Sequence, residues 1–82
     1  MTRLALRERL AERPPRTVAT VTVGEDGSIE IDGEPTSVDF LGSFRVLDRS
    51  SDRWVSKDEN PELWLELIGE HVRTPFRWLE PA

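Results

Sequence analysis

The sequence predicts an α+β domain. An antiparallel sheet of about four strands is flanked by an N-terminal helix over 2–13 and a C-terminal helix over 61–72. Three observations carry this. A Val/Thr-rich run at 17–23 is joined by a glycine turn to the alternating stretch Ser28-Ile29-Glu30-Ile31-Asp32, the pattern of a β-hairpin. Asn60-Pro61-Glu62 opens a segment whose apolar residues recur at i, i+4 and i+8, the pattern of a core-facing helix. The chain has 82 residues, 37% of them hydrophobic with three Trp and three Phe, enough for a single core and one domain spanning 1–82.

Taken in order, residues 2–13 hold good helix formers with no β-branched residue after Thr2. Thr2 is placed to cap the start, and Pro14-Pro15 stops the run. The apolar face is imperfect: Leu6 and Leu10 fall together, Leu4 and Ala11 fall together, and Arg3 and Arg7 project between the two rows. In the hairpin spanning 17–32, a three-residue loop Glu25-Asp26-Gly27 with Gly27 in the left-handed region sets Val23 opposite Ile29 and Val21 opposite Ile31. After a turn at Asp32-Gly33-Glu34-Pro35, residues 37–47 read as one long strand. Val38, Phe40, Phe44 and Val46 share a face, and Gly42 between them marks a bulge or a close backbone approach. Asp48–Asp52 is a loop and 53–56 a short strand. In the second helix Asn60 is the N-cap and Pro61 the first helical residue. Leu63, Trp64, Leu67, Ile68, His71 and Val72 face the core, and Leu65 widens the apolar arc beyond what one sheet face covers. Thr74-Pro75 ends the helix, and Phe76-Arg77-Trp78-Leu79 continues as an extended tail. Trp54 and Trp64 are the expected core anchors.

Composition narrows the function classes. There is no cysteine, which points to a reducing, cytoplasmic setting and excludes thiolate metal sites and a Cys nucleophile. Apolar runs are far shorter than a membrane span, and charged residues interrupt the first residues where a signal core would lie. Net charge is −5, but residues 1–16 hold five Arg against two Glu while the remainder carries −8. An acidic body opposes bulk affinity for nucleic acid.

The candidate chemical motifs are weak. His71 is the single histidine and lies on the apolar row of its helix, a structural position. A zinc site needs three or four ligands, and no spacing supports a Ser-His-Asp arrangement of Ser50 or Ser51, His71 and Asp52. Asp26-Gly27-Ser28-Ile29 matches the middle of a calcium loop, but with Gly27 sixth the loop has Thr22 first and Gly33 twelfth, which are not ligands. Asp48, Asp52, Asp58 and Glu59 are read as a solvated acidic approach to a helix N-terminus. The expectation is a non-catalytic protein-binding module of inhibitor, antitoxin, immunity or adaptor type, without a cofactor. Its partner is another protein or a second copy of the chain. The binding residues are Phe76, Arg77 and Trp78 of the tail, Leu65 of the second helix, and Arg3 and Arg7 of the N-terminal segment, since Trp, Phe and Arg dominate interface hot spots. The alternative is a nucleic-acid-associated regulator using the Arg-rich N-terminal helix.

Overall fold

A computed structural model describes residues 2–82. The elements run β1 (Thr2–Glu8), β2 (Arg16–Val23), β3 (Ile29–Gly33), α1 (Pro35–Ser43), β4 (Val46–Asp48), β5 (Arg53–Val55), α2 (Pro61–Val72) and β6 (Arg77–Pro81). The fold is α+β. Four antiparallel strands form a sheet in the order β3-β2-β1-β6, and β4 and β5 form a separate two-stranded sheet.

The hairpin is as expected. Val23 pairs with Ile29 and Val21 with Ile31. Gly27 sits at φ +84°, a conformation that glycine adopts without the penalty of a Cβ. The Asp26 carboxylate closes the loop by accepting bonds from the Ser28 N–H at 3.0 Å and the Ser28 hydroxyl at 2.7 Å. Helix α2 also stands where its caps place it. The Asn60 Oδ1 accepts from the Leu63 N–H at 3.2 Å, and Trp64, Ile68 and Val72 form its buried stripe.

Two assignments are overturned. Residues 2–13 do not form a helix. Thr2–Glu8 is a central strand, paired with β2 on one side and β6 on the other. The arginines between two leucine rows are the sign of a two-residue period. Leu4 and Leu6 face the core, and Arg3, Ala5 and Arg7 face away, as alternation along a strand requires. Helix-forming side chains yield here because a central strand gains two ladders and buries Leu6 completely. The second correction concerns 37–47, which is not one strand. Pro35 starts α1, with the Val38 N–H bonded to the Glu34 carbonyl at 2.9 Å, and only Val46–Asp48 is extended. Val38 and Leu41 lie three apart, Phe40 and Phe44 four apart, and the last two make an edge-on aromatic contact at 5.3 Å. A period near 3.6 fits these residues as well as a period of 2.

One core results. Leu6, Val18, Ala19 and Val21 of the sheet meet Leu41, Trp64, Ile68 and Val72 of the helices and Val46 and Val55 of the small sheet. The Trp64 indole N–H is satisfied by the Phe44 carbonyl at 2.9 Å, so its large apolar surface is buried without an unpaired donor. The register slips between Leu6 and Arg7, leaving Val18 as the extra residue of a bulge in β2. Its carbonyl then accepts the Glu34 N–H that leads into α1. Trp54 is not a core anchor. It is 57% exposed, because Val55, its neighbour along β5, takes the inward position.

Candidate surface for a partner

The tail is strand β6, and it delivers its aromatics to different places. Trp78 pairs with Arg7 and lies on the outer face of the sheet, the face on which no helix packs. Phe76 sits in the turn between α2 and β6 and is 63% exposed, the highest value among the large apolar side chains. The turn is held by its own hydrogen bonds. The Thr74 N–H donates to the Arg77 carbonyl at 2.8 Å, and the Thr74 hydroxyl accepts the N–H groups of Phe76 and Arg77. Across the strand, the Arg9 N–H donates to the Phe76 carbonyl at 2.8 Å. That brings Leu10, 49% exposed, to the same end of the molecule.

A cleft of about 820 Å³ opens beside this turn, between the C-terminal half of α2 and β6. Glu66, Gly69 and Glu70 form one wall, and Trp78, Leu79 and Pro75 form the other. Arg9 and Arg73 stand at its sides. The Arg9 guanidinium donates to the Pro75 carbonyl at 3.2 Å and lies 5.6 Å from the Trp78 ring centroid. Cation and aromatic ring thus hold each other in place.

Arginines gather at this end, although Glu66 and Glu70 stand in the cleft wall and Glu34 and Glu80 pair with two of them. Segments 7–16 and 73–77 carry six arginines against two glutamates, +4, while the rest of the chain carries five cations against fourteen carboxylates, −9. Arg16 is paired with Glu34 at 2.7 Å and Arg7 with Glu80 at 3.0 Å. Arg7 also donates to the Thr17 hydroxyl and the Pro15 carbonyl. Its Nε–H has no acceptor in line, so the Glu80 contact is ionic rather than a directed hydrogen bond. Among the described residues, Arg9, Arg13 and Arg73 have no carboxylate partner.

The six residues expected to form one binding surface are therefore divided. Trp78 lines the cleft, Phe76 sits on the turn whose Thr74 and Pro75 line it, and Arg7 lies beside Trp78. Arg77 turns to the core side, where its guanidinium covers the Phe40 ring at 4.1 Å and its Nε–H is buried without an acceptor. It seals the core and is not on the outer surface. Leu65 lies at the opposite end of α2, against the β2–β3 turn. Arg3 lies at the far end of β1, where its carbonyl accepts the Ala82 N–H at 3.0 Å. Leu10 was missed. Assigning 2–13 to a helix put Leu10 on a core stripe, whereas alternation ending at Glu8 followed by Pro14-Pro15 would have exposed it in a connection.

His71 serves the fold. Its Nδ1 bonds the Leu67 carbonyl at 2.9 Å and its Nε2 accepts the Leu47 N–H at 3.3 Å. The tautomer with the proton on Nδ1 satisfies both contacts and ties β4 to α2. The carboxylates of Asp26 and Asp48 are engaged by neighbouring serines. Ser28 holds Asp26, and Ser50 with Ser51 holds Asp48, in each case below the usual aspartate range through hydrogen bonds to the charged form. No helix among the described residues is long and apolar enough to cross a membrane. Comparisons with models of protein families, with curated proteins and with solved structures find no match.

Proposed function

We propose that this chain is a non-catalytic cytoplasmic module that acts by stoichiometric association with a partner protein, in the manner of an inhibitor, antitoxin, immunity factor or adaptor. The observation that carries the proposal is Phe76, an exposed aromatic on a hydrogen-bonded turn beside the Trp78 cleft. Surface aromatics cost free energy in water and repay it at an interface. A turn held by its own hydrogen bonds lowers the entropy lost on docking. The arginines around it favour a partner with an apolar pocket rimmed by carboxylates, and they act mainly on encounter rate and orientation. A second copy of the chain is the other candidate partner, since the acidic remainder complements the basic end. The Arg-rich helix that supported a nucleic-acid reading is a strand whose Arg7 is bound to Glu80, Thr17 and Pro15, so that alternative loses its element.

Affinity recovery from the native cell with the wild-type chain and with Phe76→Ala tests the proposal. One partner should be recovered at fixed stoichiometry by the wild type and depleted with Phe76→Ala. Equal recovery by both proteins would reject Phe76 as the contact.

A further inference from the structure

The sheet has two outer edges, and the parity of the backbone bonds identifies what each offers. On β6, the bonds Arg9 N–H to Phe76 C=O and Ala82 N–H to Arg3 C=O flank the register of β1 with β6. Trp78 and Glu80 therefore spend their backbone groups on β1, and Arg77, Leu79 and Pro81 point outward. This edge is blunted. Thr74 occupies both outward groups of Arg77, and Pro81 has no N–H. Leu79 alone keeps a free outward donor. On β3, the bonds Gly24 N–H to Ser28 C=O and Glu34 N–H to Val18 C=O play the same part. Glu30 and Asp32 bond to β2, while Ile29, Ile31 and Gly33 turn both backbone groups outward, where no strand pairs with them. Of the two edges of the four-stranded sheet, β3 is thus the open one, with alternate outward donors and acceptors along its length.

Its side chains select what can pair there. Glu30 and Asp32 project on the outer face, exposed and without a cationic partner among the described residues. An added antiparallel strand would hydrogen-bond at Ile29, Ile31 and Gly33. That makes Glu30 and Asp32 the non-hydrogen-bonded positions, where facing side chains come closest. Self-pairing is opposed. Centred on Ile31, two copies set Glu30 against Asp32 twice. Sliding by two residues either way sets Glu30 against Glu30 or Asp32 against Asp32. Like charges directly opposite destabilise a pair, and opposite charges stabilise it.

We propose that the β3 edge takes up an extended, antiparallel segment of another protein in which Lys or Arg alternates with apolar residues. The cations face Glu30 and Asp32. The apolar side chains extend the half-buried cover of Ile29 and Ile31 on the core side. The backbone supplies the affinity and the acidic pair supplies the selection. This surface is separate from the Phe76 turn, and its test does not depend on that site.

The probe is a short acetylated and amidated peptide alternating valine with lysine, compared with the same peptide carrying glutamate for lysine and with the lysine peptide N-methylated at alternate amides. Binding is read by amide-resolved hydrogen exchange and shift changes in the full chain. The lysine peptide should slow exchange at Ile29, Ile31 and Gly33 and bind about tenfold or more tightly than the glutamate peptide. Glu30→Lys with Asp32→Lys should reverse that order, and N-methylation should abolish protection. Both substituted side chains are exposed, and a thermal melt checks that the variant is folded. Protection at Leu79 instead of β3, equal binding of the lysine peptide to the charge-reversed variant, or unaltered binding after N-methylation would each overturn the proposal. So would a dimer of the chain alone with the Ile31 amide protected.

Discussion

Gly33 is held at φ +145°, and a Cβ there would collide with the Val18 carbonyl oxygen and the Ala19 Cα. It closes the hairpin against the bulge and leads into α1. Gly27 has φ +84° but open space around it. The two glycines separate backbone strain from steric collision. Gly27→Val should cost about 1–2 kcal/mol, the penalty of a left-handed L-residue. Gly33→Ala should cost more, since collision adds to a strain of about 1–3 kcal/mol. Denaturant unfolding of both variants measures the difference, and equal losses would show that the contact at Val18 relaxes freely. Asp26 offers a pH test of the same loop. Its folded pKa lies below the unfolded one because Ser28 bonds the carboxylate. The contribution is therefore present above the ordinary aspartate range and is lost as pH falls through the depressed folded value. Asp26→Ala should flatten the acid side of the stability–pH curve. An unchanged curve would remove Asp26 from the account of the loop.

At the scale of elements, β1 is the sharpest case. A helix over 2–13 would place Leu6 and Leu10 on one stripe and make both matter. The strand buries Leu6 completely and leaves Leu10 49% exposed. Leu6→Ala should cost about 2–5 kcal/mol, and Leu10→Ala should stay within about 0.5 kcal/mol. Comparable losses for both would favour the helix. The hairpin and α2 were legible because their signals are local. A glycine at the required loop position and an Asn-Pro start act over a few residues. β1 and α1 were not legible, for different reasons. β1 is extended because β2 and β6 flank it, and β6 lies some seventy residues away in sequence, beyond any window of periodicity. α1 lacks a side-chain cap, and a short apolar run with Gly42 in it satisfies either period. The tail was read as extended, which already puts Arg77 and Trp78 on opposite faces, but only the pairing of β6 with β1 shows that Arg77 takes the core side.

For the whole molecule, two exposed large apolar side chains, Leu10 and Phe76, share one end, while a third, Trp54, stands on β5. The end bearing Phe76, Leu10 and the cleft carries three arginines that lack a carboxylate partner among the described residues, Arg9, Arg13 and Arg73, and the sheet edge at β3 is acidic. Residue types suggested the tail as a contact, and of the residues they named Phe76 is exposed and Trp78 lines the cleft. They could not exclude Arg77, Leu65 and Arg3 from that contact, because which end of a helix or strand a residue occupies is a property of topology. Trp78 is half-buried under Arg9, so its truncation changes both packing and surface. Phe76 is the cleaner probe. The deciding measurement is the affinity of Phe76→Ala for the recovered partner, taken with the melting temperature of the same protein. Association through this end predicts a loss of at least about tenfold, as for a central aromatic worth about 2 kcal/mol, with the melting temperature unchanged. Affinity that stays at the wild-type value, or falls only in step with a lowered melting temperature, would contradict it.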